Sequence, residues 1–139
     1  MSVQTRTIDL KTKGSGDTID ITGQINLQLA QSGIKNGIVT IFVPGSTASV
    51  TTLEFEPGVL DDFRDALERA VPESMPYKHH LRWQDGNGHS HVRAAWLGPS
   101  LTVPFRDANL ILGTWQQVVL IDFDNTSRQR RLILQILGE

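Results

Sequence analysis

The C-terminal part of the sequence constrains the fold most strongly, because it contains three strand-like segments separated only by short turns. These segments cover residues 101–105, 113–123 and 131–137, and they are rich in Val, Ile and Leu. The connections contain Asn, Asp and Arg and are too short to hold a crossover helix. Because parallel strands need a connection of about a dozen residues or more, the spacing favours antiparallel pairing.

The rest of the chain predicts strands over residues 3–10, 17–21, 37–44, 46–54 and 91–96. Two main helices are predicted, one after Thr22 and one from Pro57 to about Ala70, where apolar residues recur with helical spacing. The expected fold is α+β, with a mostly antiparallel or mixed sheet and both helices packed on it. The length of 139 residues, with no linker, predicts one domain over 1–139.

Composition removes several classes of function. The chain has no cysteine, which excludes disulfides, thiolate chemistry and metal sites built on sulfur. Its net charge is −2 and no basic stripe is present, so we expect no nucleic-acid partner. No run approaches the length of a membrane span, and the first residues lack the apolar core of a secretory signal. We therefore expect no membrane association and a cytoplasmic location.

All four histidines fall in one short segment, at His79, His80, His89 and His91. In an extended strand His89 and His91 would point to one side, roughly 6–7 Å apart, which is compatible with a single metal ion. His79 or His80 would supply a third imidazole ligand, and imidazole suits zinc, nickel or copper. Two alternatives stay open: a histidine-lined pocket without metal, and histidines that share the segment by coincidence.

A hydroxyl-rich stretch precedes the second helix. Ser46 and Thr47 begin it, and alternate hydroxyls of a half-buried strand can hold the oxygens of a substrate or phosphate. Glu54 ends it and is a candidate general acid or base if it lies near the histidines. The alternatives are an ordinary Thr-rich strand and a solvated edge.

Two later elements are further candidates for substrate binding. Trp115 and Gln116 follow Gly113, a pattern that suggests a shaped pocket wall, although Trp115 is equally well explained as core. Arg130 stands in a basic group with Arg128 and Arg131, and a guanidinium matches the geometry of a phosphate. A solvated or intersubunit salt-bridge cluster is the alternative.

Taken together and in order, a set of motifs resembles the YjbQ-like family, also called the secondary thiamine-phosphate synthase family. The motifs are Gly45-Ser46-Thr47-Ala48-Ser49, Glu54 with Glu56-Pro57-Gly58, Tyr77-x-His79, Ser90-His91, Leu97-Gly98-Pro99-Ser100, Thr102-Val103-Pro104, Gly113-Thr114-Trp115-Gln116, Arg130-Arg131 and Gly138-Glu139. The resemblance implies a sheet curled into a sandwich or half-barrel. It also implies a homotrimer with sites near subunit boundaries.

The resemblance implies a weak thiamine-phosphate synthase activity, which condenses a hydroxymethylpyrimidine diphosphate with a thiazole phosphate. His91, His79 and Glu54 match family positions and are the expected catalytic residues. We expect any divalent metal, zinc or magnesium, at His79, His89 and His91. One position departs from the family: many members have a histidine where this chain has Gly45.

Three functions remain open at this point. The first is an enzyme that acts on a small phosphorylated metabolite, with the thiamine-phosphate reaction as its named candidate. The second is a metal-dependent hydrolase that uses a metal-bound water. The third is a non-enzymatic trimer that binds a small anionic ligand.

Overall fold

The computed structural model describes residues 1–139 and contains eight strands and four helices. The strands are β1 (Ser2–Thr12), β2 (Asp17–Asp20), β3 (Gly37–Phe42), β4 (Ala48–Leu53), β5 (Ser100–Arg106), β6 (Asn109–Leu110), β7 (Gln117–Asp122) and β8 (Arg128–Gly138). The helices are α1 (Thr22–Ser32), α2 (Pro57–Ala70), α3 (His80–Trp83) and α4 (Gly88–Leu97). No helix is long and apolar enough to cross a bilayer.

The strands form a five-stranded sheet in the order β1-β8-β3-β5-β6 and a three-stranded sheet in the order β2-β7-β4. Every neighbouring pair is antiparallel, as the short C-terminal connections predict. The strands curl into a half-barrel, which confirms the expected α+β class.

Strand β7 connects two hydrophobic clusters, because successive side chains of a strand point to opposite faces. Val118 and Leu120 join the main cluster of 18 buried residues, against which α1 packs through Ile25 and Leu29. A smaller cluster of five buried residues lies on the other face, under α2 and α4. It consists of Leu67, Ala94, Val119, Ile121 and Phe123.

Helix α2 begins where the sequence predicts. The Glu56 carboxylate accepts hydrogen bonds from the backbone N–H groups of Gly58 at 2.6 Å and Val59 at 2.9 Å. Pro57 fits the first helical turn because that position needs no N–H donor. The predicted helix from Pro57 to about Ala70 is therefore confirmed, and the structure adds the Glu56 cap.

The predicted strand over residues 91–96 is wrong, since these residues belong to helix α4. The helix packs on β4 through Ala94, whose carbonyl accepts a hydrogen bond from the Ser49 hydroxyl at 3.0 Å. Ser90, one turn earlier, is fully buried and donates to the Phe123 carbonyl. Arg93 ties the helix to the end of α2 by donating to the Val71 carbonyl at 2.8 and 3.0 Å.

Candidate functional site

Helix α4 separates the two histidines that the strand prediction placed together. Residues two apart on an α-helix differ by about 200° around the axis, so their side chains leave opposite sides. His89 turns inward and is only 3% exposed, whereas His91 lies at the surface of a cavity. The predicted arrangement of His89 and His91 on one face is therefore wrong.

His79 and His91 form the first of two aromatic contacts in the segment. Their ring centroids are 4.4 Å apart with an interplanar angle of 37°. The Asp85 carboxylate lies 3.3 Å from Nδ1 of His79, an ion-pair distance once that imidazole is protonated. Burial lowers the pKa of His91, the nearby His79 lowers it further, and Asp85 and Asp124 act in the opposite direction. The geometry suits a pair in which His91 is neutral near pH 7.

His80 and His89 lie instead around Tyr77. The rings of His80 and Tyr77 meet edge to face at 5.8 Å, and the His89 ring is 6.4 Å from the Tyr77 ring. Nδ1 of His89 is buried without a hydrogen-bond partner. Burial lowers the pKa of His89, and the Arg93 charge adds to that effect. His80 and His89 therefore pack around Tyr77 and do not face the His79–His91 pair.

Gly88 is the reason that the two short helices can pack so closely. A Cβ at this position would lie 2.5 Å from the Tyr77 Cβ and 3.3 Å from Nε2 of His80. The Gly88 N–H also faces that His80 nitrogen at 3.4 Å. Only glycine gives α4 this approach to Tyr77, so Gly88 helps to set the position of His91.

His91 borders two cavities. The larger, of about 530 Å³, is a mostly apolar groove that also contains His79, Tyr77, Val92 and Trp96. The smaller, of about 220 Å³, lies between the start of β4 and α4 and is lined by residues that include Gly45 and Ser46. No other histidine lines both spaces. This position makes His91 the central side chain of the candidate site.

A buried ion-pair network lies at the same end of the half-barrel. Arg130 donates to both oxygens of Asp122 at 2.8 and 2.9 Å, and to the Thr47 hydroxyl at 2.7 Å. Thr47 in turn donates to Asp124 at 3.0 Å. Burial alone would raise the pKa of Asp122, but hydrogen bonds from Arg130 and Thr12 outweigh it and hold the pKa below its ordinary value. The network therefore fixes the Arg130 guanidinium.

Gly45 lies against the guanidinium of Arg130. Nη1 of Arg130 makes none of the hydrogen bonds to Asp122 or Thr47, and a Cβ at position 45 would lie 3.0 Å from it. The φ of Gly45 is +133°, a backbone conformation that favours glycine. A side chain at position 45 would therefore press on the Arg130 guanidinium.

Asn87 connects the ion-pair network to the histidine pair. Its amide lies between two carboxylates and is 3.4 Å from Asp124 in one orientation. In the reversed orientation it donates to both oxygens of Asp85 at 2.9 and 3.2 Å, and both amide atoms are satisfied. Asn125 also holds this loop by donating to the Asp85 carbonyl at 2.8 Å. The carboxylate that faces His79 is therefore held in place from the network side.

The structure places Glu54, Trp115 and Gln116 away from the histidines. Ala48 pairs with Asp122 at the site end of β4, whereas Leu53 pairs with Gln117 at the opposite end, roughly 17 Å along the strand. Glu54 is exposed beyond that far end. Gln116 bridges the turn by accepting from the Gly113 N–H at 3.0 Å and donating to Thr52 at 3.1 Å. Trp115 is 73% exposed and is not core.

The residues of one chain provide an incomplete set for the predicted metal. His79 and His91 lie together, but His89 is on the other side of α4, and no group of three or more His, Asp or Glu is arranged to hold a metal ion. Catalytic zinc sites ordinarily use three protein ligands. Metal binding by His79, His89 and His91 therefore stays a prediction.

Four site residues escaped the sequence analysis: Asp85, Asn87, Asp122 and Asp124. Two of them carried a signal, because Asp122 and Asp124 end an otherwise apolar strand where charges are rarely buried without a partner. Asp85 and Asn87 sit in a polar turn between α3 and α4. Nothing in the composition of that turn distinguishes it from an ordinary solvated loop.

Comparisons with known proteins agree with this architecture. The family model "UPF0047 protein YjbQ-like" matches residues 6–139. A UPF0047 protein of Methanothermobacter thermautotrophicus is 37% identical over 139 residues, covering 100% of this chain and 95% of that protein. The UPF0047 protein YugU of Bacillus subtilis is 33% identical over 96% of this chain and 98% of its own length.

Solved structures extend the likeness to three dimensions. A YbjQ-like protein of unknown function from Sulfolobus solfataricus superposes with a TM-score of 0.89 at 34% identity, over 99% of this chain and 100% of that one. A hypothetical protein from Aeropyrum pernix gives a TM-score of 0.89 at 32% identity, over 98% of this chain and 99% of its own. Neither description states an activity.

Proposed function

Because the chain belongs to the UPF0047 YjbQ-like family, we propose that its His79–His91 pair is the centre of an enzyme that acts on a small phosphorylated metabolite. The observation that carries the proposal is the position of His91, which contacts His79 and borders both cavities. A neutral imidazole at the boundary of two cavities can donate or accept a hydrogen bond to a molecule bound in either of them.

The named candidate reaction is the condensation that forms thiamine phosphate. The thiazole nitrogen attacks the methylene carbon of the pyrimidine diphosphate, the carbon–oxygen bond breaks, and pyrophosphate leaves with the bonding electrons. In this chain Arg130 would stabilise the negative charge on the leaving group. His91 would donate a hydrogen bond from its ring N–H to the leaving oxygen, and His79, which lies against the His91 ring, would orient it.

A direct assay tests this proposal. Purified protein is incubated with the pyrimidine diphosphate, the thiazole phosphate and magnesium, and thiamine phosphate is measured by fluorescence after oxidation. We expect His91→Ala to lower the rate about 100-fold or more, as for the loss of a hydrogen-bond donor to the developing negative charge. His80→Gln is the control, since His80 packs on Tyr77 outside the pair. Equal rates for wild type and His91→Ala would refute the proposal.

A metal-dependent hydrolase is the second candidate, because Asp85 lies behind His79 as carboxylates do behind metal-bound histidines. Zinc titration by calorimetry tests it: binding at one ion per chain that disappears in His79→Ala supports the hydrolase. No binding at micromolar zinc refutes it. Ligand binding without any turnover across phosphorylated metabolites would instead favour the non-enzymatic binding protein.

The proposed homotrimer has a surface that fits it. On the outer face of the five-stranded sheet, paired residues form an apolar row of Val3, Leu137, Ile38 and Pro104. A polar row of Thr5, Gln135, Thr40 and Thr102 follows, and then Thr7, Ile133, Phe42 and Ser100. Exposed apolar rows of this kind mark contacts between proteins.

Light scattering after size-exclusion chromatography tests the assembly. We expect three times the 15.4 kDa mass of one chain for the wild type, and a smaller species for Ile38→Asp. Lys35→Asp is the control, because Lys35 is exposed in the turn before β3. A monomeric wild type would refute the homotrimer.

A further inference from the structure

We infer that the exposed Trp115 and Glu54 of one subunit complete the histidine site of the next subunit, by docking at the larger groove, which contains His79 and His91. The inference rests on the proposed homotrimer and on the proposed role of the histidine pair. It adds a second contact to the apolar rows of the five-stranded sheet and gives that contact a part in the site. In one chain the two regions lie at opposite ends of β4, roughly 17 Å apart along the strand, so they do not meet within a subunit.

The first region, which we call the Trp115 patch, consists of Glu54, Phe55 and Trp115. All three are exposed, Trp115 at 73% and Phe55 at 41%. The side chain of Gln116 bonds across the turn that carries Trp115 and to β4, and the side chain of Gln117 accepts from the Phe55 N–H at 2.8 Å. An exposed tryptophan on a fixed backbone loses little freedom on association, and tryptophan is among the residues that dominate the energy of interfaces.

The second region is the groove of about 530 Å³ beside the histidine pair. Its lining is mostly apolar, and Met75, Val92 and Trp96 are 45%, 39% and 64% exposed there. Cavities of this size hold whole small molecules, so the groove has space for an indole ring. Exposed apolar side chains that gather around a concavity mark a contact with a partner. A tryptophan docked in the groove would cover them and lie beside His91.

The charges of the two regions are opposite. The segments that carry the Trp115 patch, residues 44–63 and 107–127, contain no Lys or Arg. Residues 74–84, along the groove, contain two basic residues and two histidines and no Asp or Glu. Glu54 of one subunit and Lys78 of the next therefore have complementary charges, which favours this docking.

The carboxylates near the histidine pair already have partners within the chain. Asp85 lies 3.3 Å from Nδ1 of His79, and Asp124 is buried and paired with Arg128 at 3.0 Å. Lys78 is exposed and is the one Lys or Arg of the groove lining. A carboxylate from a second subunit therefore meets a basic residue at the groove.

The symmetry of a closed ring of three requires such a pair of regions. Contacts in a trimeric ring are heterologous, so each subunit uses two different patches. The Trp115 patch is acidic and aromatic, whereas the groove is concave and carries Lys78. Contact between two like regions would instead place Glu54 against Glu54, or Lys78 against Lys78, and would close a dimer.

Cross-linking between introduced cysteines tests the contact, and the absence of cysteine from the wild type makes the reaction specific. Thr114→Cys is next to Trp115 and Met75→Cys lies at the groove, and both positions are exposed. The full-length double variant is treated with a short bismaleimide. We expect products of two and three times the 15.4 kDa mass of one chain. Either single variant should stay at the mass of one chain, and a cross-linked single variant would overturn the heterologous contact.

The matched control combines Thr114→Cys with Lys13→Cys. Lys13 is exposed in the turn between β1 and β2, outside both regions. We expect this pair to give no product larger than one chain. If it cross-links as well as the pair at positions 75 and 114, the assigned contact is wrong.

Removal of the docked side chain gives a second measurement. Trp115→Ala should raise the protein concentration at which the trimer dissociates about tenfold or more, as for the loss of a central interface tryptophan. Light scattering over a dilution series measures it. Trp83→Ala is the control, because Trp83 is 62% exposed in α3, beside Arg82, and lines neither cavity. Equal dissociation of the wild type and Trp115→Ala would overturn the inference.

The outcomes separate this inference from the proposed function. If the wild type is a trimer but the double variant does not cross-link, the contact is wrong while the homotrimer stands. If the cross-link forms and no thiamine phosphate is made, the contact stands and the named reaction fails.

Discussion

Two polar groups meet at one end of the half-barrel, and they differ in how completely their atoms are partnered. In the network of Asp122, Asp124, Arg130 and Thr47, charged groups are buried and joined by short hydrogen bonds. In the histidine segment, Nδ1 of His79 and of His89 have no hydrogen-bond partner, and His91 borders open cavities. The difference is that between a network whose buried charges are paired and a segment in which two buried ring nitrogens lack a hydrogen-bond partner.

Removal of one member of the network should have the largest effect on stability. Asp122→Ala leaves the Arg130 guanidinium buried without its main partner, and breaking a buried ion pair in this way costs about 3–5 kcal/mol. Urea denaturation of the wild type and the variant measures the loss of free energy of unfolding.

The matched control is Asp61→Ala, which removes one partner of an exposed ion pair with Arg64. We expect its denaturation midpoint to stay close to that of the wild type. If Asp122→Ala were as stable as the control, the buried network would not be the rigid support that we contrast with the histidine segment.

A smaller loss of stability should follow from a change at the contact that positions the histidine segment. Gly88→Ala would bring a Cβ within 2.5 Å of the Tyr77 Cβ, and such overpacking costs about 1–3 kcal/mol. Because α4 must shift, His91 should move with it. The rate of thiamine phosphate formation should therefore change as well.

Gly23→Ala is the control with the opposite expected sign. Gly23 lies in α1, and a Cβ there meets no atom within 4 Å. Alanine has the higher helix propensity, so this variant should be more stable by roughly 0.5–1 kcal/mol. Equal effects of the two substitutions would mean that the close contact at Gly88 is relaxed without cost.

The strands and helices that carry the candidate site were easier to predict from the sequence than the site itself. The antiparallel order of the C-terminal strands and the start of α2 after Glu56 follow from local patterns of apolar residues, turns and caps. Helix α4 was missed because its buried face carries His89, Ser90 and Arg93, so no apolar stripe with helical period marks it. Its packing depends on tertiary contacts with Ser49 and Phe123.

The site brings together residues that are far apart in the sequence, and local sequence patterns do not show such contacts. The sequence made Glu54 a catalytic candidate and Trp115 a substrate-binding candidate, but the register of β4 on β7 places both at the end of the sheet away from the histidines. It also treated the four histidines as one set, and the helical geometry of α4 divides them into two pairs. The ion pair between Arg130 and Asp122 joins β8 to β7 and is visible only once both strands are placed.

The smallest expected effect is on the pH dependence of stability, in which the histidine segment and the buried ion-pair network should differ. His89 is buried, and burial, followed by the Arg93 charge, lowers its pKa below the ordinary value of 6.5; His80 acts in the same direction, whereas Glu73 and Glu68 act against it. The unfolded chain therefore binds the proton more readily than the folded one. Stability is present in full above pH 6.5 and falls as the pH decreases from there toward the lower pKa of the folded state.

The carboxylates of the network lose their contribution at lower pH. The pKa values of Asp122 and Asp124 are held below the ordinary 3.8, so their stabilisation persists above that pH and is lost as the pH falls further. The free energy of unfolding, measured between pH 7 and pH 3, should show both losses, one below pH 6.5 and one below pH 3.8. In His89→Gln the slope below pH 6.5 should be shallower, while the slope below pH 3.8 is unchanged. If the loss of stability below pH 6.5 is unchanged in His89→Gln, protonation of His89 does not cause it, and His91, whose pKa burial also lowers, is then its source.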